Sequence, residues 1–327
     1  MPPLPPTPRI ITYYQTHHDP SGKPISVLPL LTEPGIGLTH LILAAIHINQ
    51  DPAALTLNDH PPSHPRFTTL WAELRVLQAS GVKVLGMLGG AAPGTYARLD
   101  GDRAVFEAYY APVRDLVRAR RLDGLDLDVE EPMSLGGIVR LIDRLRADFG
   151  PAFIITLAPV AAALVTPARN LSGFAYGALE ALRGREIAWY NAQFYCGWGD
   201  CSNTLMYGAL MAMGWPARKV VVGVVTNPEN GSGYVPWDVL ASVIPALADR
   251  YPGFGGVMGW EYFNGLPGGR ERPWEWAELM TALLRRMPLP VEAVAAKAGV
   301  LADEDEMGGD APLPRSFEYH SDGLDGE

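Results

Sequence analysis

Cysteine is almost missing from this 327-residue chain, which has only Cys196 and Cys201. That excludes a disulfide-stapled scaffold and leaves either one local bridge across Cys196-Gly-Trp-Gly-Asp-Cys201 or two separate thiols. The same loop offers too few further Cys or His residues for a zinc site. No apolar run approaches ~18 residues without a charge or turn former, so no membrane-spanning helix is expected. The first residues, Met1-Pro-Pro-Leu-Pro-Pro-Thr-Pro-Arg9, lack a positive stretch followed by an apolar one. The expectation is a cytoplasmic chain, or a secreted one whose leader has been removed. Charge is sparse, at 19%, and the net of −10 is unevenly placed. Leu289 to Glu327 holds ten acidic residues against Lys297 and Arg315, so the other 288 residues carry only −2. Such a body has no global basic footprint for nucleic acid.

What is present is a large apolar fraction, 48%, distributed periodically. Short β-branched or apolar runs predict strands at Ile10–Tyr14, His40–Ile48, Lys83–Leu88, Gly124–Glu130, Phe153–Ala158, Ile187–Tyr195, Val220–Val225 and Gly255–Trp260. Helical patterns lie between them, at Phe67–Ala79, Ala104–Ala119, Leu135–Phe149, Leu205–Met213, Trp237–Arg250 and Pro273–Arg286. In Leu135–Phe149 the apolar residues Ile138, Leu141, Ile142 and Leu145 follow helical spacing. Pro236 and Pro273 mark helix starts. Eight strands with intervening helices predict an α/β fold, a single (β/α)8 TIM barrel. A doubly wound sheet would bring a glycine-rich turn after its first strand, and here that strand leads into Gln15-Thr16. The expected organisation is an N-terminal extension over residues 1–8, a catalytic barrel over 9–288 and a disordered acidic C-terminal tail over 289–327, in which Ala293–Leu301 could form a short helix.

The sharpest segment is Asp123-Gly-Leu-Asp126-Leu-Asp128-Val-Glu130. Side chains alternate along a strand, so Asp126, Asp128 and Glu130 share one face while Leu125, Leu127 and Val129 share the other. The apolar face suits packing under helices, which turns three carboxyls into the barrel. A purely structural strand would carry Val, Ile or Leu there, because burying several carboxyls together is costly. The alternatives are a hard cation site and acid catalysis. No second acidic or histidine cluster falls near another strand end, so no metal is expected. Glu130 lies where barrel enzymes keep their chemistry, and a carboxyl beside others holds its proton to higher pH. Asp128 is placed to bond Glu130, and Asp126 to share a proton with Asp128. Asn191 and Gln193 lie on the same strand face as Tyr195, so they point inward and need partners. His17 and His18 are adjacent on an extended segment and face opposite ways, which argues against a shared metal.

This acidic segment resembles the D-G-x-D-x-D-x-E motif of glycoside hydrolase family 18, the chitinases and their relatives. Lys83-Val-Leu-Gly-Met-Leu-Gly89-Gly90 resembles that family's third-strand S-x-G-G, with Met87 where Ser is usual. Gln193-Phe-Tyr195 resembles its Q-x-Y, and Gly256-Val-Met-Gly-Trp260 its last strand. Longer stretches are similar to fungal endo-β-N-acetylglucosaminidases of the family, among them Gly89-Gly-Ala-Ala-Pro-Gly94, Trp189-Tyr-Asn-Ala-Gln-Phe-Tyr195 and Gly259-Trp-Glu-Tyr-Phe-Asn-Gly265. The likeness runs roughly from Arg9 to Met287.

The resemblance implies a retaining hydrolase that uses the substrate's own 2-acetamido group and needs no cofactor or metal. Glu130 would be acid and then base, and Asp128 would orient the acetamido N–H with support from Asp126. Tyr195 would bond the acetamido carbonyl. Trp260 would floor the sugar, and Gln193, Asn191 and Tyr13 would contact substrate. Trp198 remains either a sugar platform or loop packing. The implied partners are N-glycans of glycoproteins or chitooligosaccharides, and a monomer is expected. Chitin digestion is the rival activity. A catalytically dead, lectin-like member is disfavoured because Glu130, Asp128 and Tyr195 are all present.

Overall fold

A computed structural model describes residues 8–289. Most of the expected N-terminal extension, nearly all of the acidic tail and the short helix expected at Ala293–Leu301 lie outside the described residues. The strands are β1 (Arg9–Tyr14), β2 (His40–His47), β3 (Thr56–Leu57), β4 (Lys83–Gly89), β5 (Gly124–Asp128), β6 (Ile154–Leu157), β7 (Trp189–Gln193), β8 (Val220–Val225) and β9 (Gly256–Trp260). The helices are α1 (Pro29–Thr32), α2 (Thr68–Ala79), α3 (Thr95–Leu99), α4 (Arg103–Arg120), α5 (Leu135–Phe149), α6 (Ala161–Val165), α7 (Tyr176–Arg183), α8 (Leu205–Ala212), α9 (Trp237–Arg250) and α10 (Glu275–Arg285).

Eight strands pair in parallel in the order β1-β9-β8-β7-β6-β5-β4-β2, and β1 also pairs with β2. The sheet therefore closes on itself as the expected barrel. β3, which the sequence patterns did not indicate, is a two-residue antiparallel addition to β2, with Ile46 opposite Leu57. Two residues are too few to show any alternation.

The helix patterns were the most legible. α5 spans the expected residues and buries Ile138, Leu141, Ile142 and Leu145. The Ser134 hydroxyl accepts from Gly137 N at its start, and Gly150 follows its end at a φ of 74°. α9 begins directly after Pro236, whereas α10 begins two residues after Pro273.

The barrel base is filled by an unusual trio. Arg9 is fully buried, and its Nη1 donates to Arg218 O at 2.9 Å and Gly255 O at 3.1 Å. Its guanidinium lies 4.4 Å from the Trp189 ring centroid. His40, also fully buried, meets the same indole at 4.7 Å. Above them Ile11, Ile42, Leu85, Val221 and Met258 form the apolar middle of the barrel. The polar centre sits above that layer, where the strands end.

Candidate active site

β5 stops at Asp128, two residues short of the expected Glu130. Its pairing with β6 runs from Gly124 opposite Ile154 to Leu127 opposite Leu157. Glu130 therefore stands on the strand exit, which leaves it half-buried while Asp126 and Asp128 are buried. Leu125, Leu127 and Val129 are buried on the other face, as alternation requires.

Asp126 is the deepest carboxyl and is fully buried. Its Oδ2 accepts from Tyr13 Oη at 2.6 Å. Its Oδ1 accepts from Thr156 Oγ1 at 2.5 Å and Asn191 Nδ2 at 3.0 Å. Burial pushes its pKa up and outweighs these three donors, each of which pulls it down. Thr156 was not among the expected residues, although it lies opposite Asp126 in the β5–β6 register. Trp189 was missed too. Its Nε1 donates to Asn191 Oδ1 at 2.9 Å, which fixes the Asn191 amide with its Nδ2 towards Asp126.

The Asp128 carboxyl is held well above the usual range, first by burial, then by the charges of Glu130 and Asp126. A side-chain hydrogen bond links it to Glu130. Glu130 is thus the hydrogen-bond partner of Asp128, as its place one pleat above suggests, and Asp126 acts on Asp128 through charge. Gln193 Nε2 spans the pair, 3.0 Å from Glu130 Oε1 and 3.3 Å from Asp128 Oδ1, and it also donates to Ala158 O at 3.0 Å.

Two residues expected to touch substrate are occupied internally. Asn191 is fully buried, and both ends of its amide bond protein groups. Tyr13 is 1% exposed and its hydroxyl is taken by Asp126. Its ring meets Trp260 edge-on, with centroids 5.4 Å apart. Trp260 itself is only partly buried and keeps open surface. Tyr195 is buried two residues beyond β7, and burial, then Asp128 and Glu130, raise its hydroxyl well above the ordinary phenol value.

The rim is pinned by two further carboxylates. Glu131 accepts from Gly94 N at 2.7 Å and Tyr96 N at 2.6 Å, which secures the loop after β4. That loop begins with Gly89 and Gly90, both at a φ of 94°. A Cβ on Gly89 would lie 2.4 Å from Tyr96 Cε2 and 2.5 Å from Asp128 O, so only glycine fits. One on Gly90 would lie 2.6 Å from Met87 Cε, so the methionine that replaces the usual serine fills the space beside it. Glu261, next to Trp260, accepts from Gln15 N at 2.9 Å, Thr16 N at 2.8 Å and Thr16 Oγ1 at 2.8 Å. It ties the end of the first strand to the end of the last. Cys196 and Cys201 are free thiols, one exposed and one buried, and burial pushes the Cys201 thiol up to about 12. Among the described residues no group of three or more His, Cys, Asp or Glu is arranged to hold a metal.

A closed parallel barrel with a carboxyl ladder at its strand exits and a part-open tryptophan beside it fits a carbohydrate-cleaving barrel hydrolase. A fungal endo-β-N-acetylglucosaminidase from glycosyl hydrolase family 18 is 53% identical, with a TM-score of 0.83, over 86% of this chain and 99% of that one. The chitinase ChiC of Aspergillus fumigatus is 56% identical, with a TM-score of 0.77, over 84% of this chain and 98% of that one. Chitinase 2 of Rhizopus oligosporus is 30% identical over 213 residues, 58% of this chain. The match takes in 36% of that curated relative, so the chain spans about a third of its length. No protein-family model matches the chain. The chain belongs to glycoside hydrolase family 18.

Proposed function

We propose that this hydrolase is a retaining endo-β-N-acetylglucosaminidase that cleaves the GlcNAc-β-1,4-GlcNAc bond of the N-glycan chitobiose core. The observation that supports the mechanism is the hydrogen bond between Asp128 and Glu130 under the amide of Gln193. Glu130 gives its proton to the glycosidic oxygen. The substrate's acetamido oxygen attacks the anomeric carbon as the C–O bond breaks, which forms an oxazolinium ion. Asp128 turns to the acetamido N–H, and its negative charge balances the cation. Tyr195 donates to the acetamido oxygen as that oxygen becomes nucleophilic. Water then adds at the anomeric carbon with retention, and Glu130 takes back a proton. Asp126 holds the field under Asp128, and Trp260 provides the apolar floor for the sugar ring. No step calls for a metal or cofactor.

Chitinase activity is the second reading, supported by the 56% identity to a solved chitinase. Mass spectrometry of products from N-glycopeptides and from chitotetraose separates the two. A peptide left with one GlcNAc, beside intact chitotetraose, is the expected result. Cleavage of chitotetraose alone makes the protein a chitinase.

A further inference from the structure

A groove of different composition opens beside the catalytic floor. Six of the chain's seven histidines fall between residues 17 and 64. Four of them, His17, His18, His47 and His60, line a cavity of about 360 Å³. A second cavity, of about 380 Å³, shares His47, Asn58 and Asp59 with the first and reaches Arg98. Gln15 and Thr16 line the first cavity and directly follow Tyr13 and Tyr14, so the groove starts from the strand end that carries the Tyr13–Trp260 contact.

The groove is built on anchored elements. Asn58 Nδ2 donates to Gln15 O at 2.9 Å, and its Oδ1 accepts from Ala45 N at 3.0 Å, joining the exit of β1 to the β2–β3 hairpin. The buried Phe67 ring lies within 5.7–6.4 Å of the imidazoles of His17, His18 and His60. The Arg66 guanidinium is 5.8 Å from the same ring. His18 is fastened to Arg66 at both nitrogens, Nε2 to Arg66 O at 3.1 Å and Nδ1 to Arg66 Nη2 at 3.4 Å. A carbonyl only accepts and a guanidinium only donates, so this pattern selects the Nε2–H tautomer. His18 thereby steadies Arg66 through one nitrogen and leaves the remaining guanidinium donors free.

Among the described residues neither Arg66 nor Arg98 has a carboxylate partner, and Asp59 is the only carboxylate lining either cavity. Burial lowers His17 to about 4 and also lowers His47, so these two stay uncharged hydrogen-bonding groups near neutrality. A neutral sugar needs no uncommitted guanidinium. A steadied guanidinium with imidazoles around it matches the oxygens of a phosphate monoester or a carboxylate.

We propose that this groove is a specificity site for acidic glycans, in which Arg66 binds an anionic substituent, a phosphate monoester or a sugar carboxylate, on a branch lying past Tyr13. The ligand's place on a glycan rests on the endoglycosidase reading, whereas the anion site itself does not.

Two measurements test it. The first follows the side-chain NMR signals of His18 and His60 while mannose 6-phosphate, N-acetylneuraminic acid or mannose is added to the full chain. At least one acidic sugar shifts them, mannose at equal concentration does not, and Arg66→Gln abolishes the shift. A response to only one acidic sugar supports the site and identifies its ligand. No response to either, or an unchanged response in Arg66→Gln, overturns the site. The second compares kcat/KM for matched neutral and acidic N-glycopeptides. The acidic one is favoured about tenfold, and Arg66→Gln brings the ratio near one without altering the neutral rate. Equal rates in the unmodified enzyme overturn the specificity role. If neither glycopeptide is cut while the NMR response persists, the endoglycosidase reading fails and the anion site stands.

Discussion

Glu130 and Glu131 are neighbours in sequence with opposite fates. Both oxygens of Glu131 are occupied by the amides of Gly94 and Tyr96, whereas Glu130 shares a hydrogen bond with Asp128 and stays partly open. Of the two, Glu130 is the one left open to a ligand. Glu130→Gln preserves shape and removes the proton, so kcat should fall by about 10²–10⁴ with KM little changed, measured by steady-state kinetics on a glycopeptide. Asp126 acts at longer reach. Its charge is one of the causes that raise Asp128. In Asp126→Asn the pair should lose its shared proton at lower pH, so the alkaline limb of kcat/KM moves down by about one pH unit. An unmoved limb would show that Asp126 only packs.

At the scale of elements, the site is held by strand exits and the loops pinned to them. Gly89 combines a positive φ with contacts that leave no room for a Cβ. Gly89→Ala should destabilise the fold by about 3 kcal/mol in urea unfolding, from left-handed backbone and overpacking together. Glu261 clamps the first strand's exit to the last. In Glu261→Ala the part-buried Gln15 and Thr16 amides lose their acceptor, and their hydrogen exchange should quicken by about tenfold, at about 1 kcal/mol for the lost hydrogen bonding.

For the whole molecule, two sets of buried groups pull stability in opposite directions with pH. Asp126, Asp128 and Glu261 have raised native values, so their protonated forms are favoured in the fold. Their contribution declines as pH rises from the ordinary carboxylate range through those raised values. His17 and His40 are lowered to about 4 and about 3, both first by burial. Their contribution is complete above about 6.5 and is lost as pH falls towards those native values. Replacing the buried imidazole in His40→Gln should flatten the stability-versus-pH slope between pH 6.5 and 4 by up to one proton, about 1.4 kcal/mol per pH unit. Urea unfolding at several pH values in that window measures it.

Local pattern was sufficient for the barrel, for most element centres and for the acidic strand, because alternation and helical spacing are properties of neighbouring residues. It placed Asp126, Asp128 and Glu130 on one face before any contact was known. It also placed Asn191, Gln193 and Tyr195 pointing inward, but not what they meet. That Asn191 and Tyr13 serve Asp126, that Thr156 completes its shell and that Glu261 joins strands 246 positions apart in the chain follow only from barrel closure. Closure brings distant strands into register, and pairings between them leave no trace in local periodicity. The same holds for charge: the spacing showed three carboxyls together, and only the tertiary structure decided that Tyr13, Thr156 and Asn191 donate to Asp126 while the charges of Glu130 and Asp126 add to burial in raising Asp128.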